Sequence, residues 1–357
     1  MHCLNHIEHA KIPNDIVKLY LQIYPYIGRN HEMMHTVQTD KEALIEHTIK
    51  QDAFYFSQLF KAPLSDSRYR QLLTKDAQPK NKDELLVARL KQAFLKMHHD
   101  ADTFELIHNE VYDLLRFLFQ HIDTDQSLQF SKMEKNKRRN IDLMASSYTS
   151  KREMLIDLIN RYETLIKKQT FESGFIIANF YIDFINIKPF VKHNETIGLL
   201  LLYLLQLVQG YRCYHLSSFF EKIHKQKVVF LKHQKDASHN WHEGLSNTMN
   251  LHRFLLEITL ECYKDVSETI RNYTFDHQFN KSDYIENTIN RLDEVFTKED
   301  IREAHPTVSD STINRTLKRM REENKIRPLG KGRSAKWMKL YKSSKKRSFQ
   351  EQLTLKL

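Results

Sequence analysis

Glycine and proline are scarce in this chain, with 7 of each among 357 residues. These are the two strongest helix breakers, costing about 1 and 3 kcal/mol relative to alanine inside a helix. Average usage would supply far more of both. With Leu, Ile, Lys, Glu and Gln abundant, the predicted fold class is mainly α. The same shortage argues against chemistry that needs a glycine-rich phosphate loop.

The length accommodates two or three domains. Cys3, Cys213 and Cys262 are odd in number and have no motif spacing, which predicts free thiols in a reducing, cytoplasmic setting. The N-terminus lacks a signal-peptide pattern. The longest apolar run, 197–208, is interrupted at Gln206 and is too short to span a bilayer, so no membrane partner is expected. From Ser311 onward there are 15 Lys and Arg against 3 Asp and Glu, a formal +12, so residues 1–310 carry −2 of the total +10. A polyanion is therefore expected to dock at the C-terminal end.

No internal repeat is visible. Helical patterns are predicted over 13–28, 39–60, 82–98, 103–121, 150–168, 171–186 and 196–208, with two or three more helices up to Tyr273. Thr39 and Glu42 have the spacing of a capping box. Residues 122–150 read as a charged connector, and the polar tract 274–287 reads as a linker. The organisation so predicted is a helical region at 1–102, a middle domain at 103–273, the linker, a C-terminal domain at 288–342 and a basic tail at 343–357.

In the middle domain, Phe184-Ile-Asn-Ile-Lys188-Pro-Phe-Val-Lys192-His-Asn-Glu-Thr196-Ile-Gly198 runs into a Leu-rich helix. This resembles the core of the Fic (Fido) family, whose signature is His-Pro-Phe-x-Asp/Glu-Gly-Asn-Gly-Arg-x-Gly-Arg. The resemblance covers roughly residues 103–273 and implies a helical bundle. In active members it also implies transfer of AMP from ATP to a protein hydroxyl. The departures fall where that chemistry would be. Lys188 replaces the motif histidine that acts as base, and a protonated lysine cannot take a proton. Lys192 replaces the acid that holds Mg²⁺. His193 and Glu195 replace the two glycines of the anion loop, while Thr196 and Leu199 replace arginines. Pro189, Phe190, Asn194 and Gly198 remain.

The resemblance thus implies a Fic-like body without a catalytic residue, a metal site or a cofactor. ATP and Mg²⁺ enter only if transfer survives in divergent form. Lys188, Lys192 and Asn194 are the candidate anion-binding residues. The family's inhibitory-helix motif has its nearest counterpart at Thr48 to Asp52, which is more safely read as core packing.

Residues 289–341 have the order of a winged helix-turn-helix. Helices are predicted at 289–295, 297–304 and 309–324, and strands at 325–329 and 335–341, with a basic tip at 330–334. Thr297 with Asp300, and Ser309, are natural N-caps. Ile313, Leu317 and Met320 should be buried. Ser311, Thr312, Asn314, Arg315, Lys318 and Arg319 on the third helix, with Lys331, Arg333 and Lys336 on the wing, are the candidate DNA-binding residues. The expected function is a bacterial-type transcriptional regulator that binds double-stranded DNA. A homodimer and a protein partner of the Fic-like body are the further partners considered. A divergent transferase and a protein-interaction scaffold stand as alternatives.

Overall fold

The computed structural model describes residues 3–60, 64–133, 148–276, 281–306, 308–330 and 335–340, with 275–276 and 281–283 described as backbone only. These residues form fifteen α-helices and one three-stranded sheet, so the chain is mainly α. It divides into two compact units, Met1–Glu268 and Thr269–Leu357.

In the first unit α1 (Asn14–Gly28) is followed at once by α2 (Asn30–Thr36). Helix α3 (Lys41–Leu59) begins after Asp40, which makes no side-chain cap, so the Thr39 capping box expected from sequence does not form. Helices α4 (Asp66–Lys75), α5 (Lys82–Asp100) and α7 (Lys151–Lys168) are capped by Ser65, Asn81 and Ser150. Each of these side chains accepts an otherwise orphaned amide proton. Helix α6 (His108–Phe119) is shorter at both ends than the pattern at 103–121 predicts. Of the 122–150 connector, the described part contains a short 3-10 turn, Asp125–Leu128.

At the centre lie α8 (Ser173–Ile187) and α9 (Asn194–Val208), in which nearly every side chain is buried. They approach closely because Gly198 has no side chain: a Cβ there would meet Ile185 Cγ2 at 2.8 Å and Phe184 Cδ1 at 3.0 Å. This close contact fixes the angle of the loop between them. A 3-10 turn at Arg212–His215, α10 (Phe219–Lys225), α11 (Lys227–Ser238) and α12 (Met249–Asp276) complete the bundle.

The second unit contains α13 (Lys281–Arg291), α14 (Lys298–Ala304) and α15 (Asp310–Glu322). Its sheet has the order β1 (Val295–Phe296), β3 (Trp337–Lys339), β2 (Ile326–Pro328), with both pairings antiparallel. Two expectations are corrected here. The first helix starts eight residues before Ile289, and Val295 lies in a strand rather than on a helix. The tract 274–287 is helical at both ends, because α12 continues to Asp276 and α13 starts at Lys281. Polar composition misled there: Ile285 and Ile289 are the fully buried residues of α13, with Tyr284 packed against them. Ile285, Ile289, Phe296, Ile301, Ile313, Leu317, Met320, Ile326 and Trp337 form the core of this unit. The Thr297–Asp300 capping box and the Ser309 cap both form.

Candidate functional site

The motif loop begins where α8 ends. Lys188 adopts left-handed backbone, φ 50°, and its amide donates to the Phe184 carbonyl at 3.1 Å. Pro189 has no amide proton with which to extend the helix. Phe190 is buried and faces Phe130 across a short antiparallel bridge. The Val191 amide donates to Gln129 O at 3.0 Å, the Ser131 amide to Pro189 O at 2.8 Å, and Ser131 Oγ to Lys188 O at 2.8 Å. His193 is again left-handed, φ 65°, and α9 starts at Asn194 without a side-chain cap. Asn194 closes the turn on itself, with Oδ1 accepting from Phe190 N at 2.9 Å and Nδ2 donating to Phe190 O at 2.7 Å.

Two side chains of this loop, Lys192 and His193, are matched by a carboxylate from outside it. Asp123, from the charged connector after α6, accepts from His193 Nε2 at 2.5 Å and pairs with Lys192 Nζ at 3.4 Å. The His193 ring stacks on Phe119, with centroids 3.5 Å apart. Desolvation raises the Asp123 carboxyl, but His193 and Lys192 outweigh it and hold the group below its ordinary range. Burial lowers the His193 imidazole, against the pull of Asp123.

Lys188 is exposed, and among the described residues its ammonium makes no ion pair. Glu195 is exposed and Thr196 is buried. Of the three candidate anion ligands, Asn194 is therefore occupied by the backbone and Lys192 by a carboxylate. The donor set does not fit a nucleotide-bound Mg²⁺, because a paired cation stands at the acid's position. Asp52, on the helix compared with the inhibitory one, is buried and hydrogen-bonded by Tyr203, Ser218 and the Phe220 amide, none of which belongs to the loop.

In the second unit, α15 has two faces. Ile313, Thr316, Leu317 and Met320 are buried, while Ser311, Asn314, Arg315 and Lys318 are exposed at i, i+3, i+4 and i+7. Among the described residues, the Asn314 and Arg315 side chains make no hydrogen bond or ion pair, and Lys318 reaches Glu322 only at 4.0 Å. Ser311 joins the Ser309 cap at 2.8 Å.

The structure sets two expected residues aside from this face. Thr312 is half-buried in the cap. Arg319 is held by Glu286 at 2.7 Å and Glu323 at 3.2 Å, and Lys325 joins the same clamp through both glutamates. Sequence periodicity could not reveal the clamp, because Glu286 comes from α13. At the other end of α15, Asp310 receives both arms of Arg302, at 2.7 and 2.6 Å. Lys336 is exposed beside the hairpin; Lys331 and Arg333 lie outside the described residues, as does the tail beyond Leu340.

No protein-family model and no curated protein sequence matches the chain. Solved structures do. A Fic family protein from Desulfovibrio desulfuricans aligns over 93% of this chain and 98% of its own, with a TM-score of 0.56 and 12% identity. That span is wider than the first unit alone. A Fic-domain-containing signaling protein from Bacteroides thetaiotaomicron matches 69% of this chain and 98% of its own at TM-score 0.53 and 14% identity. Fic-1 from C. elegans matches 69% of this chain and 72% of its own at TM-score 0.51 and 11% identity. At such identities it is backbone geometry that is shared. The chain has the Fic fold.

Proposed function

We propose that the C-terminal unit is a winged helix-turn-helix that binds duplex DNA, and that the Fic-fold body carries it without transferring AMP. The supporting observation is the single exposed face of α15 formed by Ser311, Asn314, Arg315 and Lys318. Helix-turn-helix proteins read base edges with the N-terminal residues of their second helix; Ser311, Asn314 and Arg315 belong to that half of α15, and Lys318 follows one turn later on the same face. Arg and Asn make the bidentate contacts that discriminate G and A in the major groove. The helix is about 20 Å long at 1.5 Å per residue, long enough to lie in that groove. The Arg302–Asp310 and Arg319–Glu286 clamps hold both of its ends, so the reading face is rigid before contact.

For the body, the support is the loop's own bonding. Its cations are at the positions of the base and the metal ligand, and Asn194 is committed to Phe190.

Binding of the full chain to duplex DNA across a salt series tests the first half. Each phosphate contact contributes about −0.9 to the slope of log affinity against log salt. A shallow slope shared by wild type and Arg315→Ala would leave the unit a protein-interaction module. Labelled ATP with Mg²⁺ tests the second half: incorporation that disappears in Lys188→Ala would restore the transferase alternative.

A further inference from the structure

Beneath the motif helices the first unit contains a continuous chain of buried polar side chains from four separate elements. It begins at the surface, where Arg212 pairs with Asp102. Arg212 Nη1 lies 3.3 Å from His215 Nε2. His215 Nδ1 faces His98 Nδ1 at 2.8 Å, and His98 Nε2 lies 2.7 Å from the Tyr203 hydroxyl. Tyr203 reaches Asp52 Oδ2 at 3.1 Å, and Asp52 Oδ1 accepts from Ser218 Oγ at 2.6 Å and the Phe220 amide at 3.0 Å. Asp52 is fully buried, with Tyr203, His98 and His215 nearly so.

The direction of the whole chain follows from one end. A guanidinium only donates, so His215 Nε2 must accept and the proton of a neutral His215 sits on Nδ1. His98 Nδ1 must then accept, leaving its proton on Nε2 to be donated to the Tyr203 oxygen. Tyr203 therefore donates to Asp52, which receives three donors as a carboxylate. A second arrangement also satisfies every internal bond. In it Asp52 is protonated and donates to Tyr203, Tyr203 donates to His98 Nε2, and His98 Nδ1–H donates to His215 Nδ1. His215 then has its proton on Nε2, facing Arg212.

We propose that this chain is a one-proton switch: it takes up a single proton as the pH falls, reversing every hydrogen bond between His215 and Asp52, and so removes the charge of Asp52 at the start of α10 without forming an imidazolium. The protons balance. One arrives at His215 Nε2; the Nδ1 proton of His215 passes to His98, the Nε2 proton of His98 to Tyr203, and the hydroxyl proton of Tyr203 to Asp52. The one further bond affected is the Arg212–His215 hydrogen bond, which is lost when Nε2 carries a proton. A second proton has no place, since two protonated Nδ1 atoms cannot face each other at 2.8 Å. Arg212 is the lock on the resting direction, because the reversed state sets two donors against each other at its contact with His215.

The surrounding charges agree with this order of titration. Burial raises Asp52 to about 7, with Ser218, the Phe220 amide and Tyr203 opposing and Glu221 of α10 adding. Burial lowers His215 to about 4, helped by Arg212 and Lys41 of α3 and opposed by Asp102. His98 is held well below its ordinary value by burial and by His215. Tyr203 faces Tyr214 and, on α12, Cys262, and Cys262 has Lys222 and Asp265 near it. The carboxyl is thus the most easily protonated member, although the proton enters at the imidazole end.

The test is ¹⁵N NMR of the histidine-labelled full chain between pH 5 and 9, with His98→Gln and His215→Gln used to assign the two rings among the 19 histidines. Both rings are expected to exchange tautomers at one common midpoint and to remain neutral. Asp52→Asn donates permanently to Tyr203, so it should fix the reversed tautomers at every pH. Arg212→Gln, at a half-exposed site where folding is not at stake, should move the midpoint upward by about one pH unit. Separate titration of the rings to imidazolium, tautomers that never change in the wild type, or an unmoved midpoint in Arg212→Gln would each overturn the switch.

Discussion

The loop at 188–196 and the outer face of α15 are both rich in cations, yet they are built in opposite ways. In the loop, Lys192 and His193 turn onto Asp123, and Asn194 turns onto the backbone of Phe190. At α15, Arg302 of α14 and the helix's own Arg319 are the firmly paired cations that fasten it to its neighbours, and the face of Ser311, Asn314 and Arg315 is left to solvent. A charged side chain already matched in the fold has little left to offer a ligand, since capture would require that match to be broken. An unmatched one on a rigid helix loses little on binding. The two regions differ less in composition than in how much of their bonding capacity the fold has already taken.

The largest expected effect tests whether the loop is held by packing. Gly198→Leu would force a side chain into Ile185 and Phe184, and overpacking of this kind costs about 3 kcal/mol. Chemical denaturation of the full chain should show the loss; an unchanged midpoint would mean that α8 and α9 can separate freely.

The comparison itself is tested next by a pair of double variants. Asn314→Ala with Arg315→Ala should weaken binding to a selected DNA site about a hundredfold, from two base contacts of about 1–3 kcal/mol each. Lys188→Ala with Lys192→Ala should leave DNA affinity within about twofold. Equal losses would erase the distinction between the regions.

A third test uses pH in the second unit. His305 is buried against Tyr284 and within 2.5 Å of Thr288 Oγ1, and burial lowers it to about 4. The unfolded chain, with an ordinary imidazole near 6.5, takes the proton first as pH falls. Stability from this group is therefore intact above about 6.5 and has fallen by about 2 kcal/mol at pH 5. His305→Gln should flatten that part of the profile.

The smallest effect is expected at Asp123→Asn, where a partly exposed ion pair contributes at most about 1 kcal/mol. Binding of inorganic pyrophosphate gained by this variant would show that Asp123 alone had been masking an anion site.

Much of this architecture was legible in the sequence because helices declare themselves locally. The caps read from the sequence at Thr297 and Ser309 lie within three residues of the amides they serve, and the buried stripe of α15 repeats with helical period, whereas the caps at Ser65, Asn81 and Ser150 emerged only in the structure. The motif remnant Pro189, Phe190, Asn194 and Gly198 was readable because it falls in one short stretch, and the turn that Asn194 closes on Phe190 is local. Helix α13 and strand β1 were misplaced because their apolar residues are few and their pairing partner β3 lies some forty residues away.

What the sequence by itself determined, then, was the helical class, the segregation of charge toward the C-terminal end and the identity of the residues on α15. Only the tertiary structure decided which of those residues stay unpaired, that Asp123 meets the motif loop, and that Asp52, His98, Tyr203 and His215 join into one chain. The reason is physical. A cap or an amphipathic face is set by residues one turn apart, whereas ion pairs and buried hydrogen bonds are set by side chains that meet only after the helices have packed.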